Sequence, residues 1–269
     1  MNTAMSILDG GRPVALNVPA PVSQTREQIL RVEDLTVSFD GFKAVDKLSL
    51  SVNRHELRVI IGPNGAGKTT LLDMICGKTK PTAGRVLFND LDLSRMSEHQ
   101  IVRAGVGRKF QTPSVYEDLT VFDNFEISLP RKHGLFQSLI FRRTPEVRER
   151  IDAMADQVFL RDQLDRRAAQ LSHGQKQWLE IGMLLMQEPE LLLLDEPVAG
   201  MSPREREQTG DLLSRIAAGK SVVVIEHDMD FVKRIAHKVT VLHQGKLLSE
   251  GSAADVQADP RVIDVYLGH

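Results

Sequence analysis

Apolar positions along the chain follow three different rhythms. The runs "ELLLLDE" (190–196) and "SVVVIEHD" (221–228) are apolar throughout. A strand that is apolar on both faces needs cover on both, which points to a mainly parallel sheet between helices. The stretch "ILRVEDLTVSF" (29–39) alternates and predicts a strand, and "LRVIIG" (57–62), "GRVLFN" (84–89), "VGRKFQ" (106–111) and "KVTVLHQG" (238–245) read as further strands. Helical patterns separate several of these. From "TPEVRERIDAMADQVFL" (144–160) the rhythm changes: Val147, Ile151, Met154 and Val158 recur at helical spacing with charges between them. The expectation is an α/β domain over residues 28–269, with a mainly parallel core sheet and an inserted helical subdomain at about 120–187. Residues 1–27, rich in Ala, Pro, Ser, Asn and Gly without a period, read as a flexible tail. No internal repeat is present.

Composition narrows the class. A chain of 269 residues buries a substantial core. Its formal net charge of −2 lacks the basic excess of nucleic-acid binders, so no nucleic-acid partner is expected. The single cysteine, Cys76, cannot form an internal disulfide and suits a reducing compartment. No apolar run approaches the roughly 18–20 residues that cross a bilayer, and the first residues lack the pattern of a secretory signal.

The segment "GPNGAGKT" matches G-x-x-x-x-G-K-[ST], and it lies between the strand-like "LRVIIG" and the helix-like "TTLLDMICG". Gly62, Pro63, Asn64, Gly65, Ala66 and Gly67 would turn backbone N–H groups inward around phosphate, and the helix that follows would add its positive end. Lys68 would reach the β- and γ-phosphates, Thr69 would ligate Mg²⁺, and Thr70 would contact the α-phosphate. An ordinary glycine-rich turn is the bland alternative, and both flanks argue against it. Asp195, at the end of "LLLLD", would hold Mg²⁺ through a water, and Glu196 would orient and polarise the attacking water. A lone Asp-Glu at a strand end is usually just a strand meeting solvent; the loop upstream changes that reading.

A second glycine turn, "LSHGQ" (171–175), opens another helix-like run. Ser172 there can cap a helix beginning near Gly174, aiming free N–H groups outward with Gln175 in the first turn. Such an end binds phosphate. The chain's own nucleotide is already held at Gly62–Thr70, so the natural ligand is the γ-phosphate of another copy or a similar subunit, in a head-to-tail pair whose members close each other's sites.

With these residues in place the chain resembles the ATP-binding cassette family, and the resemblance covers about residues 28–268. "GPNGAGKTT" looks like its Walker A, "LLLLDE" like its Walker B with the catalytic glutamate, and "LSHGQ" like its signature. The resemblance implies that Gln111 contacts Mg²⁺, that His227 hydrogen-bonds the γ-phosphate as the switch histidine, and that Phe39 stacks on adenine. It also implies the P-loop fold with an antiparallel β subdomain, ATP and Mg²⁺ as ligands, and ATP hydrolysis as the reaction. Two departures stand out: His173 replaces the usual glycine of the signature, and "PVAGMSP" replaces the commoner loop after the glutamate.

Within the family, "PVAGM" and "TPSVYEDLTVFDNFEISLP" look like cassettes of branched-chain amino-acid importers, and "LSHGQKQWLEIGMLL" with "VYLGH" most resembles those of urea importers. That implies coupling of ATP hydrolysis to urea uptake, with branched-chain amino acids as the alternative cargo. Implied partners are a second, non-identical cassette, permease subunits docking at about Thr112–Asn124, and indirectly an extracellular binding protein. The implied location is peripheral, on the cytoplasmic face of the cell membrane. The basic cluster Arg131, Lys132, Arg142 and Arg143 reads as a solvated loop. A GTPase would need an N-K-x-D base-reading motif, which is missing. A non-transport cassette protein would carry a coiled-coil insertion or a second cassette, and neither is seen.

Overall fold

A computed structural model describes residues 27–111, 114–130 and 144–267. The tail up to residue 26, the start of the expected docking segment at Thr112 and Pro113, and the four basic residues after position 130 lie outside the described residues. The strands are β1 (Gln28–Phe39), β2 (Phe42–Asn53), β3 (Leu57–Ile61), β4 (Ala83–Phe88), β5 (Leu91–Asp92), β6 (Val106–Lys109), β7 (Leu191–Asp195), β8 (Ser221–Ile225), β9 (Lys238–His243) and β10 (Lys246–Gly251). The helices are α1 (Lys68–Ile75), α2 (Glu98–Ala104), α3 (Val121–Ser128), α4 (Pro145–Gln157), α5 (His173–Met186), α6 (Pro203–Ala217), α7 (Met229–Ile235), α8 (Ala253–Ala258) and α9 (Pro260–Leu267).

Two sheets form. The larger runs β10-β9-β3-β8-β7-β6 and is parallel except for β10, while the smaller, β2-β1-β4-β5, is antiparallel. The continuously apolar strands sit centrally in the larger sheet, as their two-faced burial requires. Leu192 and Leu194 of β7 pack into one core with Val222 and Val224 of β8; Leu191, Leu193, Val223 and Ile225 face the other.

Strands β2, β5 and β10 escape the sequence reading, and β2 shows why. Its buried residues are Ala44, Val45, Leu48, Leu50 and Val52, so the period of two breaks between Val45 and Leu48. Lys47 there has a φ of 51°, and the pairing with β1 shifts register nearby. A bulge of this kind resets which face each side chain takes. β6 is also shorter than predicted, ending at Lys109 and leaving Phe110 and Gln111 beyond the ladder.

Helices α3, α4 and α5 form the helical layer. Ile151 and Val158 are fully buried, with Val147 and Met154 packed against the same core. Gly182 lets α5 approach α3 closely: a Cβ there would lie 2.6 Å from the Phe125 ring. Trp178 fastens α5 to α6, its Nε1 donating to Thr209 Oγ1 at 2.9 Å.

The site is prepared by register. Asp195 pairs with Ile225, Ile60 with Ile225, and Lys109 with Leu194. The parallel strands therefore end together, and Gly62, Gln111, Glu196 and Glu226 all leave the sheet at its carboxyl edge, where α/β sheets bind ligands.

Candidate functional site

The loop after β3 returns tightly into α1. Gly67 is the N-cap residue at φ 96°, and no side chain caps the helix. A Cβ on Gly67 would meet the Ala44 carbonyl oxygen at 2.5 Å, so both conformation and space demand glycine. The uncapped start of α1 leaves its first N–H groups directed into the loop. Lys68 folds back over this loop, donating from Nζ to the carbonyl oxygens of Gly62 at 2.8 Å and Pro63 at 3.0 Å. Burial pulls its ammonium pKa down, against the opposing pull of Glu196 and Asp195. The Ala44 contact also sets the β1–β2 hairpin beside the loop, with Phe39 half exposed at its tip.

Asp195 ends β7 and is buried. Burial pushes its carboxyl pKa up; the Arg108 guanidinium, 3.9 Å away, and a hydrogen bond from Thr69 pull it back. The adjoining Glu196 has a φ of 46°, in the left-handed region that a glutamate rarely occupies. Gln111 Nε2 donates to Glu196 Oε2 at 3.0 Å, and His227 Nδ1 lies 3.7 Å from Glu196 Oε1. The Walker-like loop, the strand-end acids, Gln111 and His227 thus gather at one edge of the sheet. The groups here able to ligate a hard cation offer oxygen: the Asp195 carboxylate, the Thr69 hydroxyl bonded to it and, beyond Glu196, the Gln111 amide. Such a set fits Mg²⁺.

Ser172, Gly174 and Gln175 belong to a different element, the start of α5. Ser172 caps the helix, its Oγ accepting from Gln175 N at 3.2 Å, while Gln175 Oε1 accepts from Ser172 N at 3.0 Å. Gln175 is therefore engaged in a capping box. Ser172 Oγ donates to Glu205 Oε1 at 3.3 Å, and a Cβ on Gly174 would meet that carboxylate at 2.5 Å. His173 Nε2 lies 3.1 Å from the Ala199 carbonyl oxygen, and its ring packs against Gly200. The unusual signature residue thus braces this turn against the unusual loop after Glu196.

Three supporting groups escaped the sequence reading. Arg108 is 5% exposed and bonds Asp73 Oδ1 at 2.5 Å while facing Asp195. Lys109 and Glu180 form a buried pair 3.5 Å apart, and Glu180 Oε1 accepts from Ser114 N at 3.1 Å. Burial pushes the Glu180 carboxyl up and the Lys109 ammonium down, each restrained by the other. Glu226 is buried between the turns that follow β7 and β8. A charged residue inside a strand, as at Arg108 and Lys109, is the one signal the sequence offered. In the docking segment, Asn124 is fully buried, its amide bonding Tyr116 N, Tyr116 O and Thr120 O. The exposed part of that segment shrinks to the residues around Tyr116, which is 54% exposed.

Fold and site together define a P-loop nucleotide-binding protein of the α/β class. Residues 45–199 match the family model "ABC transporter", and residues 246–269 match "Branched-chain amino acid ATP-binding cassette transporter". The "High-affinity branched-chain amino acid transport ATP-binding protein LivG" of Escherichia coli K12 is 34% identical over 251 residues, covering 90% of this chain and 98% of that one. The corresponding BraF of Pseudomonas aeruginosa is 34% identical over 249 residues, covering 89% and 98%. Among solved structures, a nucleotide-free ATP-binding cassette of an ABC transporter superposes with a TM-score of 0.78 at 32% identity, covering 90% of this chain and all of the other. The ADP form of such a cassette gives 0.79 at 32%, covering 90% and 99%. The chain belongs to the ABC transporter family, in the group of branched-chain amino-acid cassettes, and is its ATP-hydrolysing subunit.

Proposed function

We propose that this chain powers uptake of branched-chain amino acids, as one of two cassettes that close head to tail on ATP. The observation that carries the reading is the split of the site. The phosphate loop, the acids and His227 gather at one sheet edge, while Ser172 and Gly174 open α5, where Ser172 bonds Gln175 and Glu205 rather than that cluster. A chain with both halves separated completes its site on a second cassette. The relatives at 34% identity favour amino acids over the urea cargo expected from the signature segment. They fix the group, and the cargo itself is chosen by the permease and its binding protein.

In this reading Gly62, Pro63, Asn64, Gly65, Ala66 and Gly67 cradle the phosphates, with Thr70 at the α-phosphate and Phe39 against adenine. Lys68 exchanges its two carbonyl partners for β- and γ-phosphate oxygens. Thr69, Asp195 and Gln111 would hold Mg²⁺, which when bound neutralises charge on the β- and γ-phosphates. Glu196 orients the attacking water and takes up its proton, and His227, 3.7 Å from it, donates to the γ-phosphate. Ser172, Gly174 and Gln175 present the α5 terminus to the γ-phosphate of the partner, a non-identical cassette. Closure is driven by ATP because its γ-phosphate bridges the halves only in the closed state. Permease subunits dock at the exposed residues around Tyr116, placing the chain peripherally on the cytoplasmic face of the membrane. No helix among the described residues is long and apolar enough to cross it.

The test is uptake of labelled leucine and labelled urea by cells lacking this gene, complemented with wild type or Glu196→Gln. The expected result is leucine uptake restored by wild type alone. Restoration of urea uptake instead would move the cargo to urea, and restoration by Glu196→Gln would remove Glu196 from catalysis. In the purified pair of cassettes, Glu196→Gln should lower phosphate release roughly 10²- to 10⁴-fold while nucleotide binding persists.

A further inference from the structure

Glu226 follows β8 and is 1% exposed, yet the reading above gives it no part. Its Oε1 accepts from Val198 N at 3.4 Å, in the turn after β7. Its Oε2 accepts from His227 N at 3.1 Å, in the turn after β8, and the Asp228 N–H adds a third donor. One carboxylate therefore ties together the two turns that carry Glu196 and His227. Each partner is a backbone N–H, so the position demands a group that only accepts. An ionised carboxylate does; an amide of the same shape cannot.

Both turns need such a tie. Glu196 N donates to Ile225 O at 3.0 Å and Ala199 N to Glu196 O at 3.2 Å, a tight turn that holds Glu196 at its positive φ. A strained residue keeps its conformation only when its surroundings over-determine it. His227 Nδ1 lies 3.7 Å from Glu196 Oε1 and 4.0 Å from Glu226 Oε2. Glu226 N itself donates to Ile60 O at 3.2 Å, anchoring the tie to β3, the strand that leads into the phosphate loop.

We infer that Glu226 is a positioning residue for hydrolysis: its buried carboxylate clamps the two strand-end turns and so fixes the spacing of Glu196 and His227. The inference rests on the reading of those two residues as the catalytic pair. Glu226 acts through Glu196 and His227, whose turns it holds.

The test is Glu226→Gln, alone and with His227→Ala, in the full chain assembled with its partner cassette, reading turnover and equilibrium binding of Mg-ATP. The amide keeps the volume but sets its NH₂ against an N–H donor. Turnover should fall roughly 10- to 100-fold, the range for a small displacement of catalytic groups, with nucleotide affinity within about twofold because the phosphate loop is untouched. In the His227→Ala background the same change should cost little more, since the two act as a unit. Glu226→Asp, which keeps acceptor-only chemistry, should retain more turnover than Glu226→Gln. Should Glu226→Gln not fold, the Asp variant with and without His227→Ala carries the cycle. Wild-type turnover in Glu226→Gln, full additivity with His227→Ala, or an Asp variant slower than Gln would each overturn the inference. Unchanged turnover in His227→Ala alone would strike the role of His227 itself, and the Gln-to-Asp ratio would then decide the clamp.

Discussion

Two glycine-containing turns each open a helix in this chain, and they are built differently. The turn at Gly62–Thr70 is made by backbone: Gly67 takes a conformation closed to other residues, packs on the Ala44 carbonyl, and opens a helix that no side chain caps. The turn at Leu171–Gln175 is made by side chains: Ser172 and Gln175 form a capping box, and Gly174 yields its Cβ space to the Glu205 side chain. The first presents its donors to a ligand without help and brings Lys68 with it. The second spends its hydroxyl proton on Glu205, so a phosphate must compete with a carboxylate for one donor. In the proposed reading, a turn that binds by itself and one that engages only against a strong, correctly placed anion suit an enzyme closed from two cassettes.

The comparison breaks most readily at Lys68. Lys68→Ala removes a charge-assisted contact of about 1.5–3 kcal/mol, so ATP affinity in the single chain should fall by about one to two decades; unchanged affinity by equilibrium dialysis would remove Lys68 from the phosphate site. Gly67→Ala comes next. It forces a left-handed alanine and a backbone clash, and should cost roughly 2–3 kcal/mol in urea unfolding. Ser172→Ala loses a cap worth about 1 kcal/mol and should leave ATP affinity of the isolated chain as it was, while ATP-dependent association on a Glu196→Gln background is lost. A fall in single-chain affinity equal to that of Lys68→Ala would erase the distinction between the turns. Gly174→Ala should be the mildest: a helical alanine gains up to about 1 kcal/mol over glycine, offset by displacement of the Glu205 side chain, with unfolding within about 0.5 kcal/mol of wild type.

Much of this was legible before any fold. The apolar runs of β7 and β8 gave a buried parallel sheet, the loop pattern gave phosphate, and Ser172 gave a capped helix, because each signal is local in sequence. β2 was hidden by its bulge at Lys47, where a period-two reading loses phase. Arg108, Lys109, Glu180 and Glu226 were hidden for another reason: a charge is explained by its partner, and these partners are distant in the chain. Arg108 answers Asp73 and Asp195; Lys109 answers Glu180.

The sequence by itself determined the reaction class, since the loop, the strand-end acids and the signature are short motifs whose chemistry lies in neighbouring residues. Only the tertiary structure decided how the site is held. Sheet register brings the ends of β3, β6, β7 and β8 level, and buried Glu226 joins two turns separated by a helix and a strand. Hydrogen bonds between such distant segments depend on the packing of every strand between them, which no local pattern encodes.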